Sequence, residues 1–261
     1  MCSFLGSVEC TCFRSYFKET RMRLLDQPRL LPAEHLALDE VLLDQCEQGT
    51  GDEVLRFYEP GSTFVVLGHA CSVSADVYTE ACVSRGIPLL RRHSGGGTVL
   101  QMPGCLNYSL ILRMEGHEGL ESIAGTNAYV TERVCRALRR IAGDDVRVDG
   151  QTDLVLGGRK FCGNAQRRRI RAVLFHGVML LNADLPLISE VLRHPPRQPL
   201  YRNNRRHEEF LINTGWPAER VRGELCALWN ATEGKRAEYP SDRVEDLVRT
   251  KYGTREWTLS R

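Results

Sequence analysis

Residues 91–99 have the sequence RRHSGGGTV, in which three consecutive glycines follow a predicted strand at 88–92. Because glycine has no side chain, a ligand can approach this backbone closely, and exposed N–H groups there can bind a carboxylate or a phosphate. Arg91 and Arg92 add positive charge beside the glycines. From the glycines alone, a flexible hairpin turn is an equally good interpretation. The pattern is neither a Walker loop nor a Rossmann GxGxxG motif.

A second glycine-containing segment, residues 159–166, has the sequence RKFCGNAQ. Here Lys160 can place a cation near an anionic reacting centre, beside the backbone of residues 163–165. An isolated lysine at a hairpin end is more often a surface residue, and the segment considered alone favours that interpretation. Asp153, just upstream, could orient the lysine or cap a turn. The segment therefore supplies a candidate cation whose role depends on what faces it.

His176 and the cysteines are further candidates for chemistry. His176 lies in an apolar predicted strand at 172–181, where it could contact the polar end of a ligand or, more commonly, be a hydrogen-bonded core residue. Cys162 could act as a nucleophile only where a base or a positive field lowers its pKa. The glycine that follows it makes a covalent role the weaker interpretation, and Cys105 is no stronger a candidate.

The bulk composition is that of an ordinary globular protein, with 261 residues, 42% hydrophobic and 26% charged. The formal net charge of +2 provides no global field that would attract nucleic acid. No apolar run reaches the ~18 residues that a membrane span needs. Ten scattered cysteines without a CxxC pair favour reduced thiols over zinc or disulfides, and hence a cytoplasmic location.

The order of predicted elements indicates an α+β fold, because helices and strands mix without strict βαβ alternation. The predicted helices are 33–48, 75–85, 122–142, 184–193, 217–230 and 240–252, and the predicted strands include 54–58, 63–68, 88–92, 106–113, 154–156 and 172–181. The basic run 167–171 is expected to be a solvated turn. The loop 195–207, rich in Pro, Arg and Asn, could receive an acidic protein or a nucleotide, or could simply be solvated. Residues 1–21 are predicted to be a disordered extension, and residues 22–261 one domain.

Taken together, the segments resemble the lipoate-protein ligase and octanoyl-transferase family, which is related to the biotin ligases. Besides the two segments above, the matching pieces are GCLNYS at 104–109, TDLV at 152–155 and HGVMLL at 176–181. Their order and spacing fit the RRxSGGG, DLVV, KxSGxAxR and HHGTLLL patterns of that family. One such motif would be weak evidence, but four in order are specific. The resemblance extends over about residues 22–258.

The resemblance implies a mixed β-sheet flanked by helices, the biotin/lipoate protein ligase-like catalytic domain, with the acyl chain held in an apolar slot. It implies that ATP, with Mg²⁺ on its phosphates, and lipoate form an acyl-adenylate. This adenylate then acylates a lysine of a lipoyl domain or of a glycine-cleavage H-type protein. A tightly bound cofactor, a nucleic acid and a membrane partner are not expected, whereas an accessory subunit can be needed by small members of the family.

Carried over by position, the resemblance also implies roles for individual residues. Lys160 is the predicted catalytic residue, in contact with the activated carbonyl and the α-phosphate. The predicted acyl-binding residues are Arg92, Ser94, Gly95, Gly96, Gly97 and His176. The predicted nucleotide-binding residues are Asp153, Gly163, Asn164 and Ala165. No metal ligand is predicted.

The chain departs from the family pattern at three places. Gln101-Met102 replaces the usual His-Asp, Cys162 replaces the serine of KxSG, and only about 45 residues follow position 215, too few for the separate C-terminal accessory domain. The main alternative is an ATP-independent octanoyl or lipoyl transferase that uses a cysteine thioester. Its cysteine is expected either where Gly150-Gln151-Thr152 stands or near Pro195-Pro196, and both positions lack it. The sequence therefore favours the ligase.

Two further alternatives are less well supported. A biotin ligase would carry a GRGRxGR-type loop, which this sequence lacks. A non-catalytic scaffold that binds lipoyl domains would not need Lys160 or the triple glycine. Both features therefore favour an enzyme.

Overall fold

Strands and helices follow one another irregularly along the described residues of the computed structural model, which are 22–26, 30–233 and 239–261. The predicted disordered extension, 1–21, lies outside these residues. The strands are β1 (Arg23–Asp26), β2 (Val54–Tyr58), β3 (Phe64–Leu67), β4 (Leu89–Arg91), β5 (Val99–Gln101), β6 (Cys105–Arg113), β7 (Val146–Asp149), β8 (Asp153–Leu156), β9 (Arg159–Arg168), β10 (Ala172–Leu180) and β11 (Thr232–Glu233).

The helices pack around these strands. They are α1 (Pro32–Glu47), α2 (Val73–Asp76), α3 (Thr79–Ser84), α4 (Ile123–Ala142), α5 (Leu185–Val191), α6 (His207–Phe210), α7 (Ala218–Trp229), α8 (Ser241–Leu247) and α9 (Arg255–Thr258). Short 3₁₀ turns lie at Gly143–Asp145 and Leu200–Arg202, and a π-helical turn, Val248–Tyr252, continues α8. Within the described parts of the chain, no helix combines the length and the apolar character that crossing a membrane requires.

Two sheets form the framework. The larger has the order β11-β1-β2-β6-β10-β9-β8-β7, and the smaller has the order β4-β3-β5. Strand β1 pairs in parallel with β11 and β2, whereas β2–β6, β6–β10 and β10–β9 are antiparallel. The predicted α+β class, a mixed sheet flanked by helices, is confirmed.

The centre of the large sheet is built from β6, β10 and β9, whose register positions the site. His176 of β10 lies opposite Ser109 of β6 and opposite Ala165 of β9. Directly opposed residues in a sheet direct their side chains to the same face. These three residues therefore define one face of the sheet, called the site face below.

Each face of the sheet has its own hydrophobic core. On the site face, α1 packs Leu38 and Leu42 against Ile111 and Leu174. On the opposite face, α4 and α7 pack against the alternate residues of the same strands, among them Leu110 and Phe175. The period-two alternation of a strand explains this division, because neighbouring residues of β6 and β10 face opposite cores. The rigid central strands thus provide a fixed base for the site face.

Two of the predicted segments differ in the structure, the solvated turn at 167–171 and the helix at 75–85. Strand β9 continues past Gly163 to Arg168, because its backbone pairs with β10 as far as Arg168. The run 167–171 is therefore partly strand, and the Arg168 guanidinium donates to the Leu120 carbonyl at 2.6 Å rather than lying in solvent. The helix predicted at 75–85 is divided into α2 and α3, because Val77 between them forms a β-bridge with Leu192.

Candidate active site

The three glycines form an exposed loop held from beneath by one arginine. Arg92 is buried, and its guanidinium donates to the Gly95 carbonyl at 2.5 and 3.1 Å and to the Gly97 carbonyl at 2.8 Å. It also donates to the Val66 carbonyl of β3 at 3.3 Å. Burial lowers the pKa of Arg92 to about 10, which still leaves the guanidinium charged at neutral pH. Arg92 therefore holds the loop in place through hydrogen bonds to the carbonyl groups of Gly95 and Gly97.

The N–H groups of this loop are left available. Gly95, Gly96 and Gly97 are exposed, and their N–H groups find no acceptor in the described part of the chain. Gly96 has φ +82, in the region that favours glycine, so successive N–H groups can converge on one side. Consecutive free N–H groups of this kind make an anion-binding concavity. The loop can thus accept a carboxylate or phosphate oxygen.

The Asp153 carboxylate holds Lys160 in place, and Tyr201 in turn holds Asp153. Its Nζ lies 2.8 Å from Asp153 Oδ1, and its side chain is 27% exposed. The hydroxyl of Tyr201 donates to the other oxygen, Asp153 Oδ2, at 2.8 Å. Burial and the neighbouring carboxylate raise the pKa of Tyr201, which keeps it a hydrogen-bond donor. The lysine is therefore oriented, yet still partly open to a ligand.

Lys160 and the glycine loop lie over the same face of the sheet. A side chain at Gly163 would meet Lys160 Cε at 2.8 Å and Nζ at 2.9 Å, so the lysine lies across that glycine. A side chain at Gly96 would meet the Ala165 Cβ at 3.3 Å. Residues 163 and 165 of β9 share the site face because strand side chains alternate. The glycine loop and Lys160 are distant in sequence. In the structure they lie next to each other, over Ala165 and Gly163 of β9.

His176 connects the glycine loop to the sheet. Its Nε2 lies 2.6 Å from the hydroxyl oxygen of Ser94, the residue just before the glycines. Burial lowers the pKa of His176 to about 4, so the ring is neutral at pH 7 and can accept the serine proton. Its Nδ1 lies 4.0 Å from Asp39 of α1. His176 therefore positions Ser94, the residue at which the glycine loop begins.

A polar network under the site was not predicted from the sequence. Asp39 accepts from Arg56 at 2.6 Å and from Ser109 at 3.0 Å, and the His35 ring stacks on Tyr58 at 3.8 Å. All five residues are buried. The available signal was the presence of polar residues at positions of α1 that otherwise face the core, because buried polar groups in such places require partners.

The last residues of the chain fasten the segment before the glycines. The Arg91 guanidinium donates to the Thr258 carbonyl at 3.0 Å, and the Trp257 indole donates to the Arg91 carbonyl at 2.8 Å. The Tyr252 hydroxyl donates to Glu40 at 2.5 Å, and His93 Nδ1 lies 2.9 Å from the same hydroxyl oxygen. The single phenolic proton goes to the carboxylate, so His93 is the donor to Tyr252. The C-terminal segment is therefore part of the support for the loop.

Lowering the pH is expected to destabilise the fold through histidines whose pKa burial lowers to about 4 or below, namely His35, His93, His176 and His207. Burial lowers the pKa of His93 to about 3 and that of His176 to about 4, whereas an unfolded histidine has a pKa of about 6.5. Between pH 6.5 and about 4, the unfolded chain binds more protons. The free energy of unfolding should fall there by about 1.4 kcal/mol per pH unit for each histidine.

Denaturant unfolding between pH 7 and pH 5 measures this slope. The His93→Gln variant should lose about 1.4 kcal/mol per pH unit of it, because one of these proton-uptake sites is removed. An unchanged slope in that variant would show that His93 is not the group that titrates.

The cysteines near the site differ in their surroundings. Cys162 faces the core opposite the site face, where its thiol donates to Asn164 at 3.5 Å, and burial raises its pKa far above the usual range. Burial also raises the pKa of Cys105 to about 11. Cys71, which the sequence did not single out, is half-buried and its thiol donates to the Gly96 carbonyl at 3.4 Å. Burial raises its pKa as well.

The structure brings most of the predicted site residues together and directs one side chain away. The site face or the loop above it contains Lys160, Asp153, His176, Arg92, Ser94, Gly95, Gly96, Gly97, Gly163 and Ala165. The side chain of Asn164 points to the opposite face, where it accepts from Tyr108 at 2.7 Å and donates to the Thr152 carbonyl at 2.6 Å. The binding roles themselves stay predictions.

The apolar slot implied for the acyl chain also stays a prediction. An apolar depression of about 420 Å³ lies between α3, β4 and the C-terminal residues 252–259, and its lining includes none of the predicted site residues. In the regions that the structure describes, no three His, Cys, Asp or Glu side chains form a group that could hold a metal ion.

The mixed sheet flanked by helices, with the glycine loop and Lys160 over one face, is the fold of the lipoate protein ligase-like catalytic domains. Residues 31–207 match the family described as the lipoyl protein ligase A/B catalytic domain. The chain belongs to this family and is an enzyme of the lipoate ligase and octanoyltransferase group. The resemblance inferred from the sequence is thereby confirmed.

Similar proteins bear both names. A solved lipoate-protein ligase A bound with ATP has a TM-score of 0.77 and 26% identity, over 92% of this chain and 98% of that one. The bi-partite lipoate protein ligase of Thermoplasma acidophilum, described with its E2 lipoyl domain, has a TM-score of 0.76 and 25% identity, over 92% and 96%. The octanoyltransferase LipM of Symbiobacterium thermophilum is 29% identical over 92% of this chain and 99% of its own length.

Proposed function

We propose that this chain is an ATP-dependent lipoate-protein ligase, which forms an acyl-adenylate from lipoate or a related medium-chain acid and transfers the acyl group to a lysine of an acceptor protein. One observation carries the proposal. The glycine loop 95–97, with its free N–H groups, lies over Ala165, and the Lys160 ammonium lies over Gly163, two neighbouring positions on one face of β9. This arrangement suits two anionic groups, a carboxylate and an α-phosphate, that must be brought together.

The first step would form the acyl-adenylate and release pyrophosphate. A carboxylate oxygen of lipoate attacks the α-phosphorus of ATP, the P–O bond to the β-phosphate breaks, and pyrophosphate leaves. Negative charge builds up on the α-phosphate oxygens in the transition state, where a cation and fixed N–H donors are most effective. Lys160 would supply that cation and the glycine loop those donors. Mg²⁺ would enter with the ATP phosphates, as it does with most nucleotide substrates.

In the second step, the amine of the acceptor lysine attacks the acyl carbonyl, and AMP leaves as the C–O bond to phosphate breaks. The predicted acceptor is a lipoyl domain or a glycine-cleavage H-type protein, and the T. acidophilum ligase described with its E2 lipoyl domain supports the former. That ligase is bi-partite, which also supports the expectation that a small member of the family can need an accessory subunit. The cytoplasmic location stays a prediction.

An acceptor-modification assay tests the proposal directly. The purified chain is incubated with an unmodified lipoyl domain, lipoate and Mg²⁺, with and without ATP, and the mass of the domain is measured. The addition of one lipoyl group only in the presence of ATP is the expected result. Octanoyl transfer from an octanoylated acyl carrier protein without ATP would replace the ligase by the transferase.

Octanoyl transfer is the second candidate, favoured by the likeness to LipM. A thioester mechanism needs a thiol at the loop, and Cys71 is the described cysteine that contacts it. Its thiol donates to a carbonyl, and burial together with the neighbouring Asp76 carboxylate raises its pKa, whereas a nucleophilic thiol needs a lowered pKa. The geometry at Cys71 therefore favours the ligase.

Replacing Cys71 by alanine distinguishes the two candidates. A ligase should keep acylation within about twofold of the parent, because one weak thiol hydrogen bond contributes little to stability. Cys162→Ser is the matched control, and it should also remain active because serine can donate to Asn164 as the thiol does. Complete loss in the alanine variant, with a trapped acyl-thioester in the parent, would establish the transferase.

A further inference from the structure

An arginine-rich loop lies beside Lys160 and has no role in the chemistry proposed above. This arginine loop, residues 193–206, contains five arginines and no acidic residue. In the described chain its only ion pair is between Arg206 and Glu208, at 3.4 Å, and both side chains are exposed. Arg197 is exposed with no hydrogen-bonding partner among the described residues. The loop therefore presents positive charge that the protein does not neutralise.

The loop is a fixed surface rather than a loose connection. The Gln198 amide donates to Asn204 Oδ1 at 2.5 Å, and the Asn204 N–H donates back to Gln198 at 3.1 Å. The Arg205 guanidinium donates to the Gly158 carbonyl of the β8–β9 turn at 3.2 and 3.3 Å. Because the loop is fixed before a partner arrives, binding to it carries a smaller entropic cost.

A large apolar side chain stands at the tip of the loop. Leu200 is 99% exposed, the highest value among the large apolar residues that the structure describes. A single exposed leucine is ordinary on a protein surface. Here, however, it lies in the same loop as the exposed Arg197, and the next residue, Tyr201, donates to Asp153, which pairs with Lys160. A molecule that contacts Leu200 is therefore close to the catalytic lysine.

We propose that the arginine loop is the docking surface for an acidic acceptor domain, and that Leu200 is its apolar anchor. The proposal rests on the proposed function, because the acceptor must bring its lysine amine to the acyl-adenylate beside Lys160. Charge complementarity selects an acidic protein surface and speeds the encounter. An exposed leucine favours a protein over a nucleotide, because its burial against another protein surface is favourable.

Binding and catalysis are measured separately for each variant. The dissociation constant of an unmodified lipoyl domain is determined by titration, and adenylate formation is measured as pyrophosphate release without acceptor. Leu200→Ser should raise the dissociation constant and the acceptor KM by about tenfold, because the contact of one buried leucine is lost. Arg197→Glu should raise both and reduce their dependence on salt. Adenylate formation should be unchanged in both variants.

Matched controls are available elsewhere on the surface. Ile170 is 88% exposed on the β9–β10 turn, at the far end of the ten-residue strand that begins at Arg159. That strand length corresponds to roughly 30 Å, so Ile170→Ser should bind the lipoyl domain like the parent. Arg136→Glu, on the exposed side of α4, is the control for a change of charge.

The possible results separate the docking surface from the ligase chemistry. Loop-dependent binding without ATP-dependent acylation would support the docking surface and remove the ligase. ATP-dependent acylation with parent-like acceptor binding in both loop variants would keep the ligase and overturn the docking surface. A raised KM for ATP with unchanged acceptor binding would assign the loop to the nucleotide and also overturn it. A parent chain that does not bind the lipoyl domain would also overturn the docking surface.

Discussion

Replacing Lys160 by alanine is expected to lower acylation of the acceptor by about 10²–10³-fold or more, the range found when a fixed group that stabilises transition-state charge is removed. The fold should remain intact. The lysine side chain is 27% exposed and has one ion pair, with Asp153. A partly exposed pair contributes about 1 kcal/mol or less. Single-turnover acylation and thermal unfolding of the same preparation measure the two effects.

The neighbouring Arg159 provides the matched control. It is exposed and has no ion pair in the described chain, so Arg159→Ala should keep parent turnover. A comparison of the two variants separates a specific role of Lys160 from a general loss of positive charge at this strand. Near-parent turnover in Lys160→Ala would remove the residue from the mechanism.

The strands that support the site were largely predictable, but their pairing was not. The apolar runs at 106–113 and 172–181 predict β6 and β10 within a residue or two. Residues 163–168 were not predicted to be strand, since glycine, polar and basic residues there have low strand preference. Tertiary pairing of β9 with β10 overrides that preference. The juxtaposition of Lys160 and the glycines depends on this register, which no local pattern contains.

The orientation of the polar side chains also could not be predicted from the sequence. An arginine beside a glycine loop suggests a guanidinium that faces the ligand. In the structure Arg92 instead donates to the carbonyl groups of Gly95 and Gly97. A motif specifies which residue types are present, whereas the direction of each side chain depends on which buried carbonyls lack a partner. The motif thus predicted that Arg92 lies at the site, but not what it binds.

Contacts from the sheet and from the C-terminal segment support the glycine loop. Ser94 is tied to the sheet by His176, and Arg91 to the C-terminal segment by Thr258 and Trp257. The loop is therefore held by the sheet and by the C-terminal segment before a ligand binds. Hydrogen-bond donors that are already in position need no reorganisation when charge develops, which is the condition for effective electrostatic stabilisation.

Substitution of Gly68 by alanine is expected to lower acylation by about 100-fold or more, although Gly68 is outside every motif. An added Cβ would lie 2.0 Å from the Gly96 carbonyl oxygen and 3.2 Å from Arg92 Nη2. The first of these atoms is backbone, so the glycine loop itself has to move. A displacement of about 1 Å in a binding group can cost about 10²-fold in rate. The variant is assayed for acylation and for unfolding by urea.

Gly61→Ala is the matched control, because Gly61 is exposed in the turn before β3 and an added Cβ would meet no atom within 4 Å. The same chemical change should there leave both activity and stability near the parent values. Because Gly68 touches the loop and not Lys160, its effect tests whether the position of the glycine backbone matters in its own right. Parent-like acylation by a folded Gly68→Ala variant would mean that the loop tolerates displacement, and the free N–H groups of residues 95–97 would then no longer support a binding role.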